Sequence, residues 1–257
     1  MTSGEDLLLL AFVPRSGQIR EVDRMKFALR ASVLVDLALA HRITMNANRI
    51  TVLDVAETGD KRLDSALASL GASAAPSLRT WLKDTPAGFG MVNRYLSILA
   101  DQGVLRLERR RSPVPAPMSA TLLDQTRRDA AKARLDRVAH GGESDEADRA
   151  LAGLAHSAGL DRHLYRFSPF ARARIARVGS QSEAADSTAA AVASADAAVT
   201  DAVTQAISDA IAQLTTELVK LLRYEYRFEL NSAGGYQGTP PSHHGGNGDS
   251  SSGHHSH

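Results

Sequence analysis

Residue types able to do chemistry are thinly spread along this chain. Gly88-Phe-Gly90-Met-Val-Asn93 has two glycines of a dinucleotide fingerprint but lacks the third, and no strand precedes it. Gly248-Asp-Ser-Ser-Ser-Gly253 lies in a polar tail, where the strand–turn–helix that a nucleophilic serine needs cannot form. His156 and His163 sit seven residues apart in separate helical segments, with no third ligand in sight. The absence of cysteine excludes disulfides and thiolate metal sites and fits a reducing cytoplasm. These observations predict a protein that is not an enzyme, with no catalytic residues, no metal site and no cofactor.

Cationic side chains are the richer vein. Arg30 interrupts Met25–Ile43, a stretch whose Phe27, Leu29, Val33, Leu34, Val35, Leu37 and Leu39 would cover nearly the whole circumference of a helix. A helix apolar all round is buried among other elements. An arginine within it needs a carboxylate, a carbonyl or an anion arriving from outside. An internal ion pair and an external phosphate are both open to Arg30. Arg109-Arg110-Arg111 follows a helix-then-strand pattern like that of a winged helix, whose wing would meet phosphates. The preceding helix offers only Asn93, Arg94 and Ser97 for reading bases.

The whole-chain balance is near neutral, at +1, but uneven. Residues 1–88 carry 11 basic and 10 acidic side chains, residues 89–178 carry 16 and 10, and residues 179–231 carry 3 and 8. A basic middle followed by an acidic segment implies either internal docking or an anionic partner. Apolar residues make up 43% and aromatics 5%, so the core must rest on Leu, Val, Ile and Ala. The Leu7–Phe12 run is too short for a signal peptide and follows Glu5 and Asp6, and no stretch is long enough to span a membrane. Scarce lysine beside abundant arginine and alanine suggests a GC-rich bacterial genome.

The elements that must position these residues follow from periodicity and punctuation. A first helix is expected over about 4–12, capped by Ser3 and broken by Pro14-Arg-Ser-Gly17. The central helix should end near His41-Arg42. Ile43–Asn46 and Arg49–Val55 read as a hairpin around Ala47-Asn48. Asp60 is placed to cap a helix over 61–70, and Pro76 to open one carrying Leu78, Trp81 and Leu82. A helix over 91–102 stops at Gly103. Val104–Arg109 and Ala120–Leu123 should pair as strands, with helices following over the later part of 121–139, over 147–158 and over 160–178. Within an alanine-rich stretch at 183–222, Ile207, Ile211, Leu214, Leu218 and Leu221 make a short heptad seam, packing on its own domain or self-associating. Arg223–Leu230 reads as either a strand or a frayed helix end. Residues 232–257 are Gly, Ser, Pro and His and should be disordered.

In order and spacing, several segments resemble the Golgi phosphoprotein 3 family. They are Glu5-Asp-Leu-Leu-Leu-Leu10, Leu29-Arg30, Val33–Ile43, Thr58-Gly-Asp60 with Leu63-Asp64 and Ala66-Leu67, Trp81, and Leu99–Leu105. The resemblance implies a mainly α fold: a compact helical domain with a central hydrophobic helix ringed by amphipathic helices, plus short β-hairpins. It also implies binding of phosphatidylinositol 4-phosphate on a basic face. In that family's lipid pocket, the arginine within the central helix is matched by Arg30. The pocket's tryptophan falls on Glu21, two later arginines fall on Phe89 and Val92, and a further family arginine is matched by Arg94. Arg24, Lys26 and Arg94 are therefore the expected companions of Arg30 in an anion site. The family's hairpin tip, used for membrane insertion or self-association, is matched here by 111–118, which offers Val114 and Met118.

The expected organisation is a Golgi phosphoprotein 3-like domain over 1–178, an Ala-rich helix over 179–231 and a tail over 232–257. The expected role is a cytoplasmic, peripherally membrane-associated adaptor that binds anionic phospholipid head groups through Arg30, Arg94, Arg24 and Lys26. Client proteins and a homo-oligomer are possible partners. The alternative is a winged-helix-like nucleic-acid binder.

Overall fold

The computed structural model describes residues 2–46, 49–72, 76–84, 90–108, 118–178 and 209–222. The chain divides into two units, 1–223 and 224–257, and every described residue lies in the first. That unit is mainly helical, with small antiparallel two-stranded sheets between helices.

Helix α1 (Ser3–Ala11) is buried along its whole length. Helix α2 (Val22–Leu39) lies against it and also touches α3 (Lys61–Gly71), α4 (Leu78–Lys83), α5 (Gly90–Asp101) and α7 (Glu146–Ser157). It is therefore the central element that its apolar residues predict. It is not apolar all round, however. Asp23 is exposed and Lys26, Phe27 and Arg30 are partly so. These four are spaced 3, 1 and 3 residues apart and form one outward stripe.

Local chemistry sets the ends of these helices. Ser3 does not cap α1; its N–H lies inside the helix and donates to Asp36 Oδ1 at 3.0 Å, so a carboxylate from α2 takes the capping role. Helix α2 ends at Leu39, short of His41 and Arg42. His41 takes a left-handed φ of 57°, and the Arg42 N–H returns to the Leu37 carbonyl at 2.9 Å. That 6→1 bond marks a Schellman ending. Asp60 caps α3 as expected, accepting the Arg62 N–H at 2.8 Å. Pro76 does not open α4. Its carbonyl accepts the Ile50 N–H at 3.0 Å, which holds 76–77 extended beside the neighbouring strand, and Ser77 caps the helix instead.

The hairpin β3 (Ile43–Asn46) with β4 (Arg49–Val52) forms as read, four pairs long, its turn falling outside the described residues. A smaller hairpin, β1 (Phe12–Val13) with β2 (Gln18–Ile19), occupies what the sequence offers only as a helix break. Its Gly17 has φ 65°, and a Cβ there would sit 2.5 Å from the Ala120 carbonyl oxygen, so glycine is required. Strands β5 (Leu105–Glu108) and β6 (Ser119–Leu122) pair in register, and their connecting tip is outside the described residues.

Helix α6 (Gln125–His140) starts at an Asp124 cap and stops at Gly141, φ 76°. Helix α7 is capped by Asp145. The single helix expected over 160–178 is two: α8 (Asp161–Leu164) and α9 (Pro169–Val178). The break has a cause, since proline at 169 disfavours a helical Ser168, whose hydroxyl then accepts the Ala171 N–H at 3.3 Å. A final helix, α10 (residues 209–222), buries Ile211, Leu214, Leu218 and Leu221 within the same chain. It passes α7 closely at Gly153, where an added Cβ would lie 2.6 Å from Thr215 Cγ2. Ile207, the 223–230 segment and the tail lie outside the described residues.

Candidate anion site on helix α2

Arg30 projects from the outward stripe of α2 toward α4. Ser77 fixes the start of α4 by accepting the Thr80 N–H at 3.1 Å, and Trp81 follows one position later. The Arg30 guanidinium lies over the Trp81 indole, its Cζ 4.0 Å from the ring centroid. Its Nε donates to the Trp81 carbonyl at 3.3 Å. Among the described residues, no carboxylate is within ion-pair distance of it. Burial pushes its pKa below the ordinary arginine value, and the field of Asp84 at the end of α4 partly restores it. A guanidinium keeps its charge through such a shift. What results is a half-buried cation held by a π-face and one carbonyl, with its two terminal nitrogens uncommitted among the described residues. Trp81 is itself only 5% exposed, and its Nε1–H has no hydrogen-bond partner among the described residues. An arriving oxyanion would meet the terminal nitrogens of Arg30, while the indole, its nitrogen shielded from solvent, holds the guanidinium by its face.

The other sequence-predicted residues are placed differently. Lys26 shares the α2 stripe one turn before Arg30, its Nζ 5.1 Å from the Phe27 ring centroid. Arg94 is exposed on α5. Arg24 lies on another side of α2, 3.9 Å from Glu21 and packed against Gly159, where an added Cβ would come within 2.6 Å of its Nη1. Geometry thus brings Lys26 and Arg30 onto one stripe and turns Arg24 toward the α7–α8 junction.

Glu21, at the position where the resemblance places a tryptophan, precedes α2 in a left-handed conformation, φ 50°. That conformation is uncommon for a side chain with a Cβ. Its carboxylate pairs with His163 Nε2 at 2.8 Å and with Arg24. Val92, at another such position, is fully buried in α5, and Phe89 lies outside the described residues. The aromatic partner of Arg30 comes instead from Trp81, which the sequence offers as an apolar helix residue and as part of the family resemblance, not as a partner of Arg30. The one signal available for it was its being the sole tryptophan of the chain.

Elsewhere the basic middle divides into two parts. Arg127 and Arg134 of α6, with Arg62 of α3, engage Glu5 and Asp6 in the buried first turn of α1. Arg134 and Arg137 also grip Asp148, both at 2.7 Å. These arginines satisfy buried carboxylates inside the fold. No such pairing engages Arg162, Arg166 or Arg174 of α8 and α9 among the described residues. A cleft of about 310 Å³ lies between the end of α6 and α9, lined by His140, Phe170, Arg174 and Arg177 among others.

The two candidate metal ligands are apart in function as well as in sequence. His156 pairs with Asp161 at 3.0 Å, while His163 bonds Glu21 and lies 3.3 Å from Arg20. Among the described residues no group of three histidines or acids is arranged to hold a metal ion. No helix among them is long and apolar enough to cross a membrane.

The family model for Golgi phosphoprotein 3 (GPP34) matches residues 4–213. The chain belongs to the Golgi phosphoprotein 3 family. No curated protein matches it. The match takes in α1 through α9 and the start of α10, so the Golgi phosphoprotein 3 domain here includes Arg30, Trp81 and the α8–α9 corner.

Proposed function

We propose that this Golgi phosphoprotein 3 family member is a non-catalytic, peripheral membrane adaptor that binds anionic phospholipid head groups on the outward stripe of α2. Arg30 is the principal phosphate ligand, Trp81 orients it, and Lys26 adds charge on the same stripe. Arg94 and Arg24 contribute to the surrounding positive field without sharing that stripe. A phosphoinositide such as phosphatidylinositol 4-phosphate suits the site, because a monoester phosphate accepts more hydrogen bonds than a bridging diester does.

One observation carries this reading: Arg30 is half-buried and has no carboxylate partner among the described residues. Placing a charge there costs free energy that an internal acid would normally offset. A bound phosphate would supply that compensation from outside. The nucleic-acid alternative is less well supported. Asn93, one of its base-reading candidates, is occupied, since its Oδ1 accepts the Met118 N–H at 3.1 Å. Arg109–Arg111 lie outside the described residues.

The test is cosedimentation with vesicles of phosphatidylcholine alone, with phosphatidylserine, and with phosphatidylinositol 4-phosphate. Binding should require an anionic lipid and weaken with salt. A DNA mobility shift with no vesicle binding would favour the alternative and overturn this proposal.

A further inference from the structure

The two most exposed large apolar side chains among the described residues are neighbours. Phe167 is 84% exposed and Phe170 87% exposed, on either side of the bend between α8 and α9. The bend is held from within. Tyr165, two residues before Phe167, is buried; its hydroxyl donates to Asp136 at 2.6 Å, and Lys132 lies 4.5 Å from its ring centroid. Pro169 and the Ser168 cap then fix the start of α9. The corner therefore presents both phenylalanines from an anchored turn.

Exposed cations outnumber acids around it, the nearby Glu21 and Asp136 being engaged by His163 and Lys132. Arg162, Arg166, Arg174 and Arg177 are exposed around the two rings. The one acid of the segment, Asp161, is buried against His156. Phe170, Arg174 and Arg177 are spaced 4 and 3 residues apart and line the cleft together with His140. The Arg166 guanidinium lies 4.2 Å from the Phe167 centroid. Aromatic tips set among arginines suit one class of partner: an anionic lipid surface, whose acyl boundary takes the rings while its phosphates take the guanidiniums. A second copy would bring like charges together across the same face.

We infer that the α8–α9 corner is a membrane-contact surface that inserts Phe167 and Phe170 at the headgroup–acyl boundary of an anionic leaflet. The inference rests on the membrane-binding reading above, though not on Arg30. The two regions are adjoining, because His163 of α8 bonds Glu21 at the start of α2 and Arg24 packs on Gly159. Arg24 thereby belongs with this corner, and Arg30 lies six residues further along α2, about 9 Å at the helical rise.

The test uses full-length protein carrying Phe170→Trp, compared with wild type, whose single Trp81 is buried. Vesicles of phosphatidylcholine with phosphatidylserine should shift the difference emission to the blue, and brominated acyl chains should quench it. F167S/F170S should weaken cosedimentation roughly tenfold with unchanged circular dichroism, since both rings face solvent. Arg30→Ala placed in the F170W background should need more lipid to bind, yet reach the same blue shift once vesicles are saturating. Protein that sediments with the vesicles while the difference emission of the F170W variant stays unshifted and unquenched overturns the insertion and leaves the membrane reading standing. An F167S/F170S variant that assembles or dissociates relative to wild type, with no lipid effect, assigns the corner to a second copy and also overturns it. Absence of both sedimentation and shift overturns the two proposals together.

Discussion

Arg30 and Trp81 act as a unit, so substitutions at the two should separate charge from packing. Arg30→Ala removes the cation and should weaken anionic-vesicle binding roughly fivefold, about 1 kcal/mol for one basic side chain near a charged surface. Trp81→Phe keeps most of the buried area but offers a weaker π-face to the guanidinium; it should weaken binding while shifting Tm little. Trp81→Ala should cost about 3–5 kcal/mol of stability, as large-to-small changes in a core do. A Trp81→Phe variant with wild-type affinity would show that the indole does not position Arg30. Asp36 makes a separate, titratable point. Burial raises its pKa to about 6, against about 3.9 in an unfolded chain. The folded state therefore holds the proton more tightly, so this group's contribution is full below about pH 4 and fades as pH rises through 6. Asp36→Asn should remove roughly 2–3 kcal/mol of that pH dependence, read as the difference between wild-type and variant denaturation midpoints across the window. Parallel curves would show that Asp36 titrates normally. Arg30 was legible in the sequence because a cation in an apolar stretch violates a simple pattern. Trp81 was not, because a lone aromatic at helical spacing looks like any core residue, and its neighbour comes from 51 positions away.

The elements were read best where punctuation is local. Asp60 and Gly103 mark helix ends that depend only on their own side chain or backbone freedom. The start of α1 could not be read this way, since its N-terminal donor is satisfied by Asp36 from another helix. The hairpin at Phe12–Ile19 was likewise hidden, because two-residue strands leave no period to detect. Proline misled at 76 and informed too little at 169, where it breaks one expected helix into two. The α7–α10 contact yields a prediction at this scale. Gly153→Ala would push a Cβ to 2.6 Å from Thr215 Cγ2 and should cost about 1–3 kcal/mol by overpacking, despite alanine's better helix propensity. Adding Thr215→Ala should recover part of that loss, giving a measurable coupling in a double-mutant cycle. Additive effects would mean that α10 does not pack there.

Across the whole molecule, the uneven charge of the sequence resolves into two uses. Arginines of α3 and α6 neutralise Glu5, Asp6 and Asp148 within the fold. Asp148→Ala should therefore destabilise by about 1–3 kcal/mol, because among the described residues Arg134 keeps only Asp6 and the half-exposed Arg137 only water. Arg162, Arg174 and Arg177 of α8 and α9 are exposed, and Arg30 and Lys26 on α2 are partly so. Composition alone shows a basic middle; only the fold tells which cations have internal acids. The central claim is that Arg30 binds a lipid phosphate, and a paired vesicle titration measures it most directly. Wild type and Arg30→Ala would be titrated at low salt with phosphatidylcholine vesicles carrying phosphatidylinositol 4-phosphate. The account predicts a roughly fivefold weaker Kd for the variant, with the gap closing as salt rises. Equal affinities for the two proteins, at matched folding, would contradict it.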